Sequence, residues 1–198
     1  MTVATASAPS PTDRLVTLQG DWAHFKLIQQ GCEQSSGVRL AYFDGEIEIL
    51  MPGQLHEIFA DVIGWMLNYF LMANQVDFFP TGSVTQEKEG EAAAEADKSY
   101  CIGEKKPIPD LSIEVVFTSG GLAKLLRYQA LKVTEVWFWN DGTLELYKLS
   151  DRGYQRIQQS QLPKLDALDL ALLERCILMA ETDPPAGMKM FANAVGPL

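Results

Sequence analysis

Histidine, cysteine and positive charge are all scarce in this chain. Its two histidines, His24 and His56, are too few for a histidine-rich metal site. The three cysteines, Cys32, Cys101 and Cys176, are odd in number, far apart and form no Cys-x-x-Cys pair. That argues against a zinc site and against a disulfide framework. The longest apolar stretch, residues 58–73, is interrupted by Asp61 and Asn68, so it reads as a buried amphipathic helix and not as a membrane span. Residues 1–11 are rich in Ala, Ser, Thr and Pro but have no basic start followed by an apolar run, unlike a secretory signal. The compartment expected from these absences is a reducing cytoplasm, with no membrane partner. There is also no Walker loop, no Gly-x-Gly-x-x-Gly opening a helix and no Gly-x-Ser-x-Gly elbow.

Basic residues number 16 against 26 acidic ones, a net charge of −10. A protein that grips duplex DNA over a wide surface carries a basic face. Either the cations here gather around one cleft, or nucleic acid is not the partner. Acidic excess also suits a protein that simply stays soluble.

What is present is an α/β pattern. The 198 residues fit one domain. Residues 1–14 are expected to be disordered, 15–182 to form the domain and 183–198 to be a loose, proline-rich tail. Residues 17–22 lead into a helix marked by Trp22, Phe25, Leu27 and Ile28. Residues 38–43 and 46–50 read as strands joined by Asp44-Gly45, a two-residue hairpin turn. Residues 55–74 carry apolar side chains at helical spacing. Strands are expected near 78–79 and 83–85, then over 99–102 and 111–117. Residues 87–97 between them are charged and alanine-rich, an exposed loop or long hairpin tip. A helix over 122–131, strands over 135–139, 143–149 and 153–157, and a helix over 168–180 complete a mixed sheet flanked by helices.

The chemistry centres on Pro109-Asp110-Leu111-Ser112-Ile113-Glu114. Period two along a strand puts Asp110, Ser112 and Glu114 on one face. Leu111, Ile113, Val115 and Phe117 take the other, expected to be the core. A carboxylate in a buried strand is costly unless it is paired, hydrogen-bonded or metal-bound. Spacing alone leaves a metal site and a salt-bridge network, with Arg127 or Lys124 as partner, equally open. Asp97 precedes the strand over 99–102. Taken alone it reads as a loop aspartate, but if that strand neighbours the one over 111–117 it can approach Glu114, and clustered carboxylates suit a hard cation such as magnesium. Lys124, just after a Gly-Gly turn, either folds back over the strand end or is solvated. Glu57 near a helix start is favoured by the helix dipole, and His56 beside it has a structural or supporting role. Glu46 and Glu48 share one strand face and are expected to face solvent, though Glu46 sits where it can line a cleft.

These stretches resemble a known family. Residues 42–53 with His56, then 81–85, 97–100, 109–116, Lys124-Leu125 with Tyr128, and 135–138 follow, in order, the Uma-two family, long filed as a domain of unknown function and assigned as endonucleases. It lies within the restriction-endonuclease-like superfamily, whose mark is Pro-Asp followed by Asp/Glu-x-Lys. The resemblance implies a restriction-endonuclease-like core with an N-terminal helix and β-hairpin. It also implies magnesium (or manganese) held by Asp97, Glu114 and Asp110, and hydrolysis of phosphodiester bonds in nucleic acid, DNA first. Val116 stands where the superfamily has its lysine, and the resemblance moves that role to Lys124. Glu57 adds a ligand through water. Ala96 replaces the usual proline before Asp97, and Leu131-Lys132-Val133 lacks the family's typical glycine. The rival readings are a catalytically silent nucleic-acid- or protein-binding module on the same fold, and an oligomer subunit whose acids form a buried ion-pair network. The exposed edge after the last hairpin and the apolar last helix leave room for a homodimer.

Overall fold

The computed structural model describes residues 12–117 and 121–198. In chain order the elements are β1 (Arg14–Gln19), α1 (Trp22–Cys32), β2 (Arg39–Phe43), β3 (Glu46–Met51), α2 (Gln54–Ala73), β4 (Phe78–Pro80), β5 (Gln86–Lys88), β6 (Ala92–Ala94), β7 (Lys98–Ile102), β8 (Leu111–Val116), α3 (Gly121–Leu131), β9 (Glu135–Asn140), β10 (Thr143–Ser150), β11 (Gly153–Ile157), α4 (Leu170–Ala180) and α5 (Pro184–Val195). The α/β pattern is as expected, but the strands divide between two sheets. One is five-stranded and antiparallel, in the order β1-β3-β2-β6-β5. The other is six-stranded, β11-β10-β9-β8-β7-β4, and antiparallel except where β8 runs parallel to β9 across the α3 crossover.

The layers follow from side-chain alternation. Leu111, Ile113 and Val115 of β8, with Trp137 and Trp139 of β9, pack against Phe59, Ile63, Met66 and Leu67 of α2, and against α4 and α5. The opposite face of that sheet, through Val116, Val136 and Phe138, packs against Leu125, Tyr128 and Leu131 of α3. The same cluster takes in Ala92 and Ala94 of the smaller sheet. Behind that sheet lies α1, where Phe25 meets Leu40, Tyr42, Ile47 and Ala93. The β2–β3 hairpin turns on Asp44 and Gly45, with φ of 49° and 79°. Positive φ at both central residues is what a type I′ turn demands, and glycine supplies it without steric cost.

The structure departs from the sequence pattern in specific places. Residues 14–19, read as partly disordered and partly a lead-in to the helix, form β1, paired to β3 from Arg14↔Met51 to Gln19↔Glu46. Every residue of β1 is exposed, so it has no buried face and no alternation to read. Residues 1–11 of the expected disordered segment lie outside the described residues. No strand forms over 83–85; the pairing starts at Gln86. The stretch expected as an exposed loop carries β6, whose three alanines are buried between α3 and α1. Only small side chains fit where both faces are covered so closely.

The expected loose tail is also corrected. It holds α5, with Asp183 capping Ala186 N–H and Pro184 in the first turn, where a missing N–H costs nothing. Phe191 is fully buried, and a Cβ on Gly187 would come within 2.5 Å of the Cys176 carbonyl. Close α4–α5 packing therefore requires that glycine. Phe117, expected in the core, is about half exposed, its ring against His56 and Phe59.

Candidate active site

The candidate site lies where the two sheets meet, around the C-terminal half of β8. All six residues of β8 are buried. Ser112 faces the smaller sheet and bonds Gln86 Nε2 at 3.1 Å. Glu114, two residues on, points to the same side, towards α3. Lys124 Nζ donates to its Oε2 at 2.5 Å, and the Tyr128 hydroxyl donates to Oε1. Lys124 and Tyr128 are four residues apart and thus share a helix face. Burial pushes the Glu114 carboxyl up, but the adjacent Lys124 and Arg127 cations and these hydrogen bonds outweigh it, so its pKa is lowered. The Tyr128 phenol is pushed well up by burial and then by the charge on Glu114.

Asp97 sits between β6 and β7, where the chain crosses from one sheet to the other. It is buried, and its Oδ2 accepts the Val115 N–H at 2.7 Å, one residue along from Glu114. Its Oδ1 lies 2.9 Å from Arg39 Nε and 2.8 Å from His56 Nε2. Oδ1 therefore lies in ion-pair contact with both groups at once. His56 Nδ1 lies 2.9 Å from Asp13 Oδ2, while Asp13 Oδ1 accepts Gly53 N–H at 2.7 Å. Burial alone would lower the His56 pKa; Asp97 and Asp13 outweigh it and raise it. Arg39 reaches the other way too, its Nη1 donating to Glu57 at 2.9 Å.

The hairpin supplies the opposite wall. Ile47 and Ile49 face α1, so Glu46 and Glu48 must face the cleft. Glu48, expected in solvent, takes the Arg127 guanidinium at 2.5 Å. Glu95 accepts from Thr85 Oγ1 and Leu40 N–H, tying the next loop to β2. Together these elements enclose a cleft of about 200 Å³. Asp13, Glu46, Glu48, Glu95 and Glu114 line it, against Arg39, Lys124 and Arg127. Five carboxylates against three cations make an empty cleft repellent to phosphate, unless a further cation enters.

Asp110 is not brought to this cleft. It immediately precedes β8, about 13 Å along the chain from Glu114 at the usual rise per residue. Its carboxylate takes Lys106 Nζ at 2.8 and 2.7 Å and Ile102 N–H at 2.8 Å. It fastens the β7–β8 connection. Asp97, Glu114 and Lys124 are drawn together, with His56 behind Asp97 and Glu57 behind Arg39. Sequence reasoning missed Asp13, Arg39 and Glu95. Asp13 fell in a stretch without hydrophobic pattern, and a single arginine or glutamate carries no motif.

A family described as "Putative restriction endonuclease" matches residues 22–179. The chain belongs to the Uma2 family. The Uma2 match takes in α1, the cleft-forming hairpin, Asp97, β8 and α3, and stops one residue short of the end of α4. Asp13 and β1 lie outside it. No curated protein matches the chain.

Among the described residues, no three His, Cys, Asp or Glu side chains converge as a metal cage. Magnesium needs no such cage, since it keeps several waters and takes one or two carboxylates plus substrate phosphate. Glu114, which opens on the cleft, and Asp97, held one residue along by the Val115 N–H with its Oδ1 between Arg39 and His56, are the two carboxylates that would meet this demand.

Proposed function

We propose that the cleft hydrolyses phosphodiester bonds of nucleic acid, DNA first, as a magnesium-dependent endonuclease. The observation that carries this is the meeting of three groups: Glu114 with Lys124 at 2.5 Å, and Asp97 pinned on the N–H of the residue following Glu114. Asp97 and Glu114 would hold the cation, with manganese as its substitute. When bound, it lowers the pKa of a water and neutralises charge on the phosphoryl group. Lys124 orients that water or donates to a phosphoryl oxygen as charge develops there. Its ammonium is already fixed by Glu114, so little reorganisation is needed. Arg39 and Arg127 supply the remaining positive charge in the cleft. Asp110 takes no part in this reading.

The second reading is a catalytically silent binding module. The observation favouring it is that the acids are already paired: Glu114 with Lys124, Glu48 with Arg127, and Asp97 with Arg39 and His56. Free thiols at Cys32, Cys101 and Cys176 suit a reducing cytoplasm, and no helix among the described residues is long and apolar enough to cross a membrane. Two copies would meet through the β11 edge and the exposed Leu178 and Met179 of α4, which sedimentation can check.

The deciding experiment is cleavage of single-stranded, duplex and structured DNA by purified protein with magnesium or manganese. Activity must vanish in Asp97→Ala and in Lys124→Ala. Activity that survives both substitutions is contamination, and absence of both cleavage and metal binding leaves the silent module.

A further inference from the structure

We propose that Asp13, acting through His56, is a positioning residue for Asp97, so that the chain just ahead of β1 belongs to the active site. This rests on the metal-dependent reading above.

The contacts form one line. Asp13 Oδ2 is 2.9 Å from His56 Nδ1, and His56 Nε2 is 2.8 Å from Asp97 Oδ1. The other Asp97 oxygen is fixed by Val115 N–H. The position of Oδ1 is therefore set by what flanks it, which is Arg39 on one side and the imidazole on the other. The imidazole is in turn held at its far nitrogen by Asp13. Which ring nitrogen points where is decided by the partner of the other one. Removing Asp13 frees the ring and thereby the Asp97 carboxylate that the ring flanks.

A purely structural role for Asp13 explains less. β1 is exposed along its whole length and pairs only with β3. If the segment needed only an anchor, an apolar side chain would provide one without burying a charge. Instead the chain buries Asp13, with its side chain only 6% exposed, against a fully buried histidine. One Asp13 oxygen also holds Gly53 N–H at the start of α2, so the same carboxylate sets the helix that carries His56.

The test is manganese(II) titration of the full chain by calorimetry, with thermal unfolding without metal as the check on folding. Wild type, Asp13→Ala, Asp13→Asn, His56→Ala and the double Asp13→Ala/His56→Ala variant are compared. His56→Ala is expected to weaken manganese binding about 10- to 100-fold, as loss of a ligand's supporting partner does, and Asp13→Ala to weaken it measurably but by no more than that. The double variant is expected to be no weaker than His56→Ala alone, because both act on one line. Asp13→Asn preserves shape and an acceptor for Gly53 N–H, so it reports on the histidine contact if the alanine variant does not fold. Manganese affinity unchanged in both Asp13 variants, or losses that simply add in the double variant, overturns the inference while leaving the nuclease reading intact. Wild type that binds no manganese overturns the nuclease reading and this inference with it.

Discussion

Lys124 Nζ and Glu114 Oε2 meet at 2.5 Å across the junction between β8 and α3. The superfamily's lysine position on the strand is occupied by Val116, which packs with Leu125 and Tyr128. The helix returns a cation to the place the strand does not provide. Lys124→Met keeps most of the stem and removes the charge. Single-turnover cleavage should fall by about 100-fold or more, the usual cost of deleting one donor to a developing oxyanion. Unchanged circular dichroism would separate this from misfolding. A variant as fast as wild type sinks the assigned role.

His56 makes stability depend on pH in a defined direction. Its folded pKa is raised above the ordinary value of 6.5. Its contribution is therefore complete below about pH 6.5 and is lost as pH rises through the folded value. Glu114 acts at the other end: its lowered pKa adds stability above its ordinary value of 4.5, lost as pH falls through the folded value. Urea unfolding from pH 6 to 9 should show wild type losing more stability than His56→Gln over the same range. Parallel curves would mean that His56 does not titrate as its partners imply.

Asp110 provides a contrast within the same motif. Its contacts are with Lys106 and the Ile102 N–H, at the far end of β8 from Glu114. Asp110→Asn should leave manganese affinity and cleavage within about twofold of wild type. It should also cost about 1 kcal/mol of stability, typical of a charge-assisted hydrogen bond made partly in solvent. A collapse of metal binding would restore Asp110 to the ligand set.

How far the site could be read from sequence depended on periodicity. The alternation along β8 placed Glu114 on the face opposite Leu111 and Ile113, and the structure keeps that division while burying both faces. The Asp44-Gly45 turn fixed the hairpin register, yet whether Glu48 met solvent or Arg127 depended on the second sheet, which no local pattern announces. Arg39 and His56 reach Asp97, and Asp13 reaches His56, from three separate stretches of chain. Such convergence leaves no trace in spacing. Exposed β1 and the all-alanine β6 escaped for opposite reasons, one with no buried face and the other with both faces buried. The prolines at 184 and 185 open α5 where they were read as breaking structure.

Lys132 ends α3 in the left-handed region, with φ of 67°. Its N–H bonds Gln129 O at 3.2 Å, and Val133 N–H bonds Tyr128 O at 3.2 Å. These two bonds form the helix-closing pattern that favours glycine at that position. Lys132 is exposed, so its side chain has little to lose. Lys132→Gly should stabilise by about 1 kcal/mol, a left-handed penalty of about 1–2 kcal/mol less about 0.5–1 kcal/mol for glycine's own entropy cost. Calorimetry should show the melting temperature rise by about 2–4 °C. A fall would mean that the lysine makes a compensating contact.

Glu135 is a buried acid that the site does not use. It begins β9 with no exposed surface, and no cation pairs with it among the described residues. Three donors satisfy it instead. Trp137 Nε1 at 3.0 Å and Ser160 Oγ at 2.9 Å reach Oε2, and Gln161 N–H reaches Oε1 at 2.7 Å. The carboxylate thus ties β9 to the segment after β11, and each donor depends on it. Glu135→Ala leaves three donors unpaired, those of Trp137 and Ser160 buried, which should cost about 2 kcal/mol or more at about 1–3 kcal/mol for each buried one. Glu135→Gln can still accept from Trp137 and Ser160 with its carbonyl oxygen, but it turns an NH₂ towards Gln161 N–H. It should therefore lose roughly half as much. Urea midpoints of the two variants give that ordering directly. Equal losses would show that the charge, and not the number of satisfied donors, holds this part of the core together.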